Sequence, residues 1–150
     1  TFIKPRQSSR ESSVQVKLNV LREAVRGKRI VLIDDSIVRG TTSNRIVTML
    51  REAGAKEVHM MVSSPPFLWP CYFGTDVPVR EQLIAYNRSV GEICRIIGAD
   101  SLHYLELSRL PELAGGKSIC TGCFTGKYPI DPPKEDIRGE YDKKDSVKKY

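Results

Sequence analysis

Two adjacent carboxylates, followed by a glycine and hydroxyl side chains, are the residues of this sequence best suited to chemistry. An apolar run at 30–33 ends at Asp34 and Asp35, and Gly40 with two threonines follows shortly. Backbone N–H groups at the start of a helix attract anions, and a glycine lets the main chain approach a phosphate closely. Carboxylates repel phosphate, but they hold Mg²⁺ and accept hydrogen bonds from sugar hydroxyls. The pattern therefore predicts a site for a sugar that carries both a phosphate and free hydroxyls.

The predicted ligand residues lie at the end of a strand, in the following loop and in the first turn of a helix: Asp34, Asp35, Ser36, Arg39, Gly40, Thr41, Thr42 and Ser43. Asp34 and Asp35 are also predicted to hold Mg²⁺, and residues 36–43 are called the Gly40 loop below. The stretch contains neither a Walker loop nor a Gly-x-Gly-x-x-Gly turn. For the carboxylate pair alone, an ordinary acidic turn is the alternative, but the whole order of residues from 31 to 43 favours a ligand site. No side chain is assigned a certain catalytic role, and none has to act as a nucleophile.

A strand–helix–strand unit must position this loop, because the apolar spacing changes from a continuous run to a helical period and back. The predicted elements are a helix at 14–26 stopped by Gly27, a strand at 30–33 buried on both faces, a helix at 43–53, a strand at 57–62, a short helix at 80–86, a helix at 89–98 and a strand at 101–105. Ser89 and Glu92 form a capping-box pattern. This alternation predicts an α/β fold with a parallel sheet that binds ligands at the carboxyl ends of its strands.

Composition and charge narrow the class of protein. The chain has 150 residues and a net charge of +6, and the excess positive charge lies in the basic segment 1–29. Such a segment favours a phosphate-bearing partner, but no interleaved aromatic and basic residues suggest a nucleic acid. No apolar run is long enough to span a membrane. Neither nucleic acid nor a membrane is an expected partner, and we expect a cytoplasmic location. The start at Thr1, without an initiator or signal peptide, predicts a piece of a longer protein.

The four cysteines, Cys71, Cys94, Cys120 and Cys123, stand in a chain without secretory features, so reduced thiols are expected. Two residues separate Cys120 from Cys123, which is the spacing of a short metal chelate. A zinc site and a pair of structural thiols are the alternatives that this spacing leaves open. Cys94 falls on the apolar side of the helix at 89–98 and is expected to be a core thiol.

The order of residues from Ile33 to Ser43 resembles the phosphoribosyl-diphosphate motif of type I phosphoribosyltransferases. Four further segments resemble the iron–sulfur-containing amidophosphoribosyltransferases, namely 51–55, 63–66, 70–71 and 123–129. The resemblance implies an α/β, type I phosphoribosyltransferase fold with a mainly parallel sheet flanked by helices, followed by a cysteine-containing lobe. In the family's reaction, ammonia derived from glutamine displaces diphosphate from C1 of 5-phosphoribosyl 1-diphosphate. The product is 5-phosphoribosylamine, in the first committed step of de novo purine synthesis.

The same resemblance divides the chain. Residues 1–112 correspond to the C-terminal part of the phosphoribosyltransferase domain, in which 1–27 form a flexible active-site loop and the following helix. Residues 113–130 form an iron–sulfur lobe, and 131–150 form a charged tail that we expect to be disordered. The glutaminase domain is absent and lies upstream in the family. A [4Fe–4S] cluster is implied, with Cys71, Cys120 and Cys123 as ligands and the fourth ligand upstream of Thr1.

The resemblance also implies roles and partners. Asp34 and Asp35 would contact the ribose hydroxyls and the metal, and the Gly40 loop would hold the 5′-phosphate. The implied partners are phosphoribosyl diphosphate, ammonia from the upstream glutaminase domain, purine nucleotides as inhibitors, and further copies of the protein in a homo-oligomer, a tetramer in the family. Two other functions stay open: another type I phosphoribosyltransferase that acts on a nucleobase, and a non-catalytic nucleotide-sensing domain.

Overall fold

A three-stranded parallel sheet forms the centre of the computed structural model, which describes residues 19–74 and 79–132. Its strands are β1 (Arg29–Asp34), β2 (Glu57–Val62) and β3 (Ser101–Tyr104), in the spatial order β1-β2-β3. Asp34 pairs with Val62, and Val62 pairs with Tyr104, so all three strands end at the same edge. The predicted α/β fold with a parallel sheet is confirmed.

Five helices and two 3₁₀ turns lie among the described residues: α1 (Arg22–Val25), α2 (Thr41–Glu52), a 3₁₀ turn (Arg80–Gln82), α3 (Val90–Ile97), a 3₁₀ turn (Leu107–Arg109), α4 (Leu110–Leu113) and α5 (Gly122–Thr125). The predicted capping box of α3 is present, since Ser89 accepts from the backbone N–H of Glu92 while the Glu92 side chain accepts from Ser89. Gly98 ends this helix with a φ of 77°. None of the described helices is long and apolar enough to cross a membrane.

Helices α2 and α3 pack against one face of the sheet and against each other. Val58, Met60 and Val62 of β2 point into this layer and are buried, as are Val47 of α2 and Ile97 of α3. The alternation of buried and more exposed residues along β2 has the period of two that a strand with one covered face requires. The core that supports the site therefore lies on a single side of the sheet.

The prediction that the strand at 30–33 is buried on both faces is wrong for the described residues. Val31 is 59% exposed and Ile33 is 70% exposed, whereas Ile30 and Leu32 pack against the core. The reason is that helices α2 and α3 both pack on the face of the sheet opposite to Val31 and Ile33. A continuous apolar run shows what a strand is able to bury, but not what covers it.

Two helix predictions also differ from the structure. In the segment 14–26, residues 14–18 lie outside the described part of the chain, and the described remainder is helical only over α1. The predicted helix at 80–86 is a single 3₁₀ turn, after which Leu83, Ile84 and Ala85 are all buried. Successive side chains on a helix point in different directions, so a helix at the surface of a core does not bury three residues in a row. The non-helical backbone here lets Leu83 enter one core cluster while Ile84 and Ala85 enter another. The predicted tail also lies outside the described residues, from residue 133 onward.

Asp100, which immediately precedes β3, connects α2 and β2 to this strand through hydrogen bonds. Its carboxylate accepts hydrogen bonds from Arg51 Nη2 at 2.5 Å and from the backbone N–H of Val58 at 2.6 Å. The hydrogen bond from Arg51, followed by that from Val58, holds the pKa of Asp100 below its ordinary value of 3.8. The ionised form of this carboxyl is therefore the form that stabilises the fold.

We expect Asp100→Asn to lower the free energy of unfolding by about 1 kcal/mol at pH 7, because hydrogen bonds to a charged group are lost and partial exposure weakens them. The pKa is depressed in the folded chain, so this contribution is present above the ordinary pKa and disappears as the pH falls through the folded value. Urea unfolding at decreasing pH should show the difference closing. Glu112→Gln, which alters an exposed ion pair with Arg109, should change stability by less than about 0.5 kcal/mol. Equal effects of both changes would contradict the role of Asp100.

Candidate functional site

The two predicted carboxylates lie where β1 ends, at the edge shared by all three strands. Asp34 is the last residue of β1, and its carbonyl oxygen accepts from the backbone N–H of Ser63 at 2.9 Å, which extends the pairing with β2. The Asp34 side chain accepts from the backbone N–H of Asp35 at 3.0 Å. Asp35 Oδ1 in turn accepts from the hydroxyl of Ser36 at 2.9 Å. A short chain of hydrogen bonds therefore sets the direction of both carboxylates.

Burial acts against the charge of Asp34. Loss of hydration raises the pKa of this half-buried carboxyl, and the neighbouring charge of Asp35 raises it further, although the Asp35 backbone N–H opposes both. Two adjacent carboxylates, one of them partly desolvated, form a pair that a divalent cation or a set of hydroxyl donors would stabilise. A site for Mg²⁺ or for sugar hydroxyls at this pair stays a prediction.

The Gly40 loop is held by two apolar residues that enter different core clusters. Ile37 is 1% exposed and packs with Met60 of the main core. Val38 packs with Phe67 and Leu83 in a separate small cluster. These two side chains therefore attach the backbone between the strand and the helix to two separate parts of the core.

Gly40 has a left-handed backbone, with a φ of 81°, at the residue that caps the start of α2. The side chain of Ile84 fills the space where a Cβ at Gly40 would stand, and the Ile84 backbone N–H donates to the carbonyl of Val38 at 2.8 Å. The predicted reason for this glycine was close approach of a phosphate. The structure adds a second reason, because a side chain at Gly40 would collide with the residue that packs behind the loop.

No side chain caps the start of α2. The first turn of a helix carries backbone N–H groups without partners inside the helix, together with a partial positive charge. Thr41 and Thr42 are half-buried there, whereas Ser43 is only 2% exposed. Arg39 Nε donates to the side-chain oxygen of Gln82 at 3.1 Å. The predicted ligand residues are therefore brought together at the carboxyl edge, and Gly40 and Ser43 are the buried residues among them.

Three of the four cysteines lie on one side of the fold. Cys71 and Cys123 pack against the small cluster around Leu83, while Cys120 is exposed. Burial raises the pKa of Cys123 to about 11, and the charges of Cys71 and Cys120 contribute to the same rise. Within residues 19–74 and 79–132, no group of three or more His, Cys, Asp or Glu side chains has the arrangement of a metal site.

Cys94 is separate from these three thiols. It packs against the main core, and its thiol donates to the carbonyl of Ala99 at 3.2 Å. Loss of hydration raises its pKa, and the charge of Asp100 adds to the rise. Its surroundings are those of the core thiol that the sequence predicts.

Sequence reasoning missed the residues that support the loop from behind. Gln82 and Ile84 contact Arg39 and Gly40, yet more than forty residues separate the two segments. The local signal is the apolar run at 83–85, which predicts part of a helix. Contacts between such distant segments do not follow from periodicity.

The sequence pattern of the phosphoribosyl transferase domain family matches residues 1–64. A curated relative, amidophosphoribosyltransferase of Archaeoglobus fulgidus, is 59% identical over 140 residues, which cover 91% of this chain and 31% of the relative. The solved structure of glutamine phosphoribosylpyrophosphate amidotransferase from B. subtilis, complexed with ADP and GMP, has a TM-score of 0.74 and 51% identity, and the match covers 89% of this chain and 30% of that one. The chain belongs to the amidophosphoribosyltransferase family.

A second structure, described as the allosteric regulatory enzyme of purine biosynthesis, also superposes on the chain. Its TM-score is 0.75 at 51% identity, over 91% of this chain and 31% of that one. The sheet and the flanking helices therefore have the type I phosphoribosyltransferase fold. The chain spans about 30% of the length of these amidophosphoribosyltransferase relatives.

Gly40→Ala should destabilise the chain by more than about 1 kcal/mol, because alanine disfavours the left-handed backbone and its Cβ would displace Ile84. Gly91→Ala is the matched control. Gly91 lies in α3 without a positive φ, and a Cβ there would meet nothing within 4 Å. This variant should keep or slightly raise the stability. Urea unfolding of both variants is the measurement, and a Gly40→Ala chain as stable as the Gly91→Ala chain would contradict the packing described here.

Proposed function

We propose that this chain supplies the phosphoribosyl-diphosphate site of an amidophosphoribosyltransferase, a glycosyltransferase of purine synthesis. The observation that carries the proposal is the pairing of Asp34 and Asp35 with the glycine-started helix α2 at one edge of the sheet. The family relationship supports it. In the proposed arrangement the two carboxylates accept hydrogen bonds from the ribose hydroxyls. The backbone of the Gly40 loop, with the hydroxyls of Thr41 and Thr42, holds the 5′-phosphate.

In the proposed reaction, the ammonia nitrogen forms a bond to C1 of the ribose, the bond from C1 to the diphosphate oxygen breaks, and the nitrogen loses a proton. Positive charge grows on the ribose ring while negative charge grows on the departing diphosphate. In this proposal, Asp34 and Asp35 orient the ring by accepting hydrogen bonds from its hydroxyls. Mg²⁺ held near this pair would neutralise charge on the diphosphate. Orientation and electrostatic stabilisation are sufficient, and no side chain of the site has to act as a nucleophile.

Ammonia is proposed to come from a glutaminase domain of the longer protein, and purine nucleotides are proposed as inhibitors. The B. subtilis relative was solved with ADP and GMP, which supports nucleotide binding in this family. Phosphoribosyl transfer to a nucleobase and nucleotide sensing without catalysis are the competing functions. Formation of phosphoribosylamine from phosphoribosyl diphosphate and ammonia, with no reaction on nucleobases, would separate the three. A homo-oligomer and a cytoplasmic location stay predictions.

The cysteines fit a cluster bound by thiolates in part. Three thiols lie on one side of the fold, and the charges of Cys71 and Cys120 add to the rise that burial causes in the pKa of Cys123. Among the described residues, however, they do not have the arrangement of a complete metal site. Irons would supply the compensating positive charge. We therefore propose Cys71, Cys120 and Cys123 as [4Fe–4S] ligands, with a fourth ligand from the longer protein. The cluster's proposed contribution is structural, because it would tie the loop at Cys71 to the turn at 120–123 and so restrict the chain between them.

Asp34→Asn and Asp35→Asn in the full-length protein should each lower kcat/KM for phosphoribosyl diphosphate by about ten- to hundredfold, the effect of losing one charged hydrogen bond worth about 1.5–3 kcal/mol. Stability should respond differently. A carboxyl whose pKa is raised by burial destabilises the folded state above that pKa, so Asp34→Asn should keep or raise the melting temperature at pH 7.

Basal glutamine hydrolysis should persist in both variants, and Asp131→Asn, at an exposed position remote in sequence, is the matched control. Ammonia-dependent kinetics measured alongside thermal unfolding provide the comparison. Wild-type kinetics in both site variants would remove Asp34 and Asp35 from the substrate site. If the melting temperature fell far enough to account for the lost activity, the loss would be one of folding, and the assignment of Asp34 and Asp35 to the substrate site would fail as well.

Full-length protein purified without oxygen should contain about four irons and four sulfides per chain, the content of one [4Fe–4S] cluster. Cys120→Ser should lose the iron and the cluster's visible absorbance, because a ligand thiolate is removed. Cys94→Ser should retain both, since the Cys94 thiol packs against the core and bonds to Ala99. Iron and sulfide analysis with absorbance spectra is the measurement. Stoichiometric zinc without sulfide, or a cluster that requires Cys94, would show that the ligands are misassigned.

A further inference from the structure

The side chain of Arg80 contacts two aromatic rings and a main-chain carbonyl. Its guanidinium carbon lies 3.4 Å from the centre of the Trp69 ring and 4.9 Å from the centre of the Tyr86 ring. Its Nε donates to the carbonyl of Leu68 at 3.0 Å. Two aromatic contacts and a hydrogen bond to the main chain fix this side chain, and such cation–aromatic contacts gain strength where water is excluded.

Two partners of Arg80, Leu68 and Trp69, also contact the cysteine lobe, a name used here for Cys71 and residues 120–128. The backbone N–H groups of Leu68 and Trp69 both donate to the carbonyl of Cys123, at 2.9 and 3.0 Å. The Trp69 ring lies against Gly126, where a Cβ would come within 2.8 Å of Trp69 Cε2. Displacement of the lobe would therefore displace Leu68 and Trp69, two of the three residues that hold the Arg80 guanidinium.

The segment that starts at Arg80, residues 80–84, contacts the Gly40 loop. Gln82, in the same 3₁₀ turn, accepts from Arg39, and Ile84 packs against Gly40 while its backbone donates to Val38. Leu83 between them is fully buried, in a cluster that contains both Val38 and Cys123. One short segment thus contacts the loop that we assign to phosphate and, through Arg80, the cysteine lobe.

We propose that Arg80 is a positioning residue that couples the cysteine lobe to the Gly40 loop, and this inference rests on the function proposed above. The guanidinium holds the segment 80–84 against Leu68 and Trp69, and the segment holds the Gly40 loop in the shape that binds the 5′-phosphate. The proposal assigns Arg80 no contact with substrate, because its Nε and its ring contacts are directed toward Leu68, Trp69 and Tyr86. The lobe therefore supports substrate binding at a distance.

The test uses the full-length protein with Arg80→Ala, Arg80→Lys and Gln82→Ala. Arg80→Ala should raise KM for phosphoribosyl diphosphate at least tenfold while kcat changes less than threefold, because the loop is loosened and the reacting groups are intact. The KM of Arg80→Lys should lie between those of the wild type and Arg80→Ala, since lysine keeps the charge but not the flat guanidinium. Gln82→Ala, which removes the side-chain hydrogen bond with Arg39, should raise KM a few-fold without changing the metal content.

Hydrogen exchange without substrate provides a second readout that does not depend on the proposed reaction. Backbone amides at 37–42 should exchange faster in Arg80→Ala than in the wild type, and those of β3 should not. Arg109→Ala, which removes an exposed arginine from an ion pair, is the matched control and should match the wild type in both measurements. A wild-type protein that does not use phosphoribosyl diphosphate would refute the proposed function, and the exchange data would still decide the coupling. Unchanged exchange at 37–42 in Arg80→Ala and Arg80→Lys, or a loss of kcat with unchanged KM, would overturn the role of Arg80.

Discussion

The left-handed backbone at Gly40 is the constraint on which the site depends. The chain must leave β1, present two carboxylates, and begin α2 with its first turn at the same edge of the sheet. A residue with a side chain would resist the φ of 81° and would collide with Ile84. Ile84 in turn reaches Gly40 only because the segment that follows the 3₁₀ turn is buried from Leu83 to Ala85. The geometry of the loop is thus set jointly by a local backbone preference and by a distant side chain.

The sequence predicted well what depends on neighbouring residues and poorly what depends on distant ones. The strand at 57–62 has the bounds expected, and Ser89 and Glu92 cap α3 as their spacing predicts, because both patterns report local backbone chemistry. The gathering of the predicted ligand residues at one edge follows from their contiguity along β1 and α2. The exposure of Val31 and Ile33 did not follow, since an apolar strand carries no information on which layers cover it. The support of Gly40 by Ile84 was missed for a related reason, because only tertiary packing joins the two segments.

Electrostatics separate the parts of the fold that stabilise it from the part that we assign to substrate. Asp100 has its pKa lowered by Arg51 and the Val58 backbone, so its charge favours folding. Asp34 has its pKa raised by burial, so its charge opposes folding. A carboxyl kept at such a cost, beside a second carboxyl, is typical of a functional position. The contrast between two aspartates in one small sheet gives a physical criterion for function that does not depend on resemblance.

The spatial order of the strands has a consequence for how the chain folds. β1, β2 and β3 are neighbours in the order in which they occur along the chain, but their pairings are parallel, so each one closes a long connection. His59 and Ser101, which pair between β2 and β3, are 42 residues apart. Parallel pairings between segments so far apart form slowly, because the connection has to be closed first. The Gly40 loop acquires its final shape only when residues 80–84 pack behind it, and these residues lie within the connection from β2 to β3. The predicted phosphate site should therefore form together with the β2–β3 pairing, so competence to bind would report that the whole sheet has assembled.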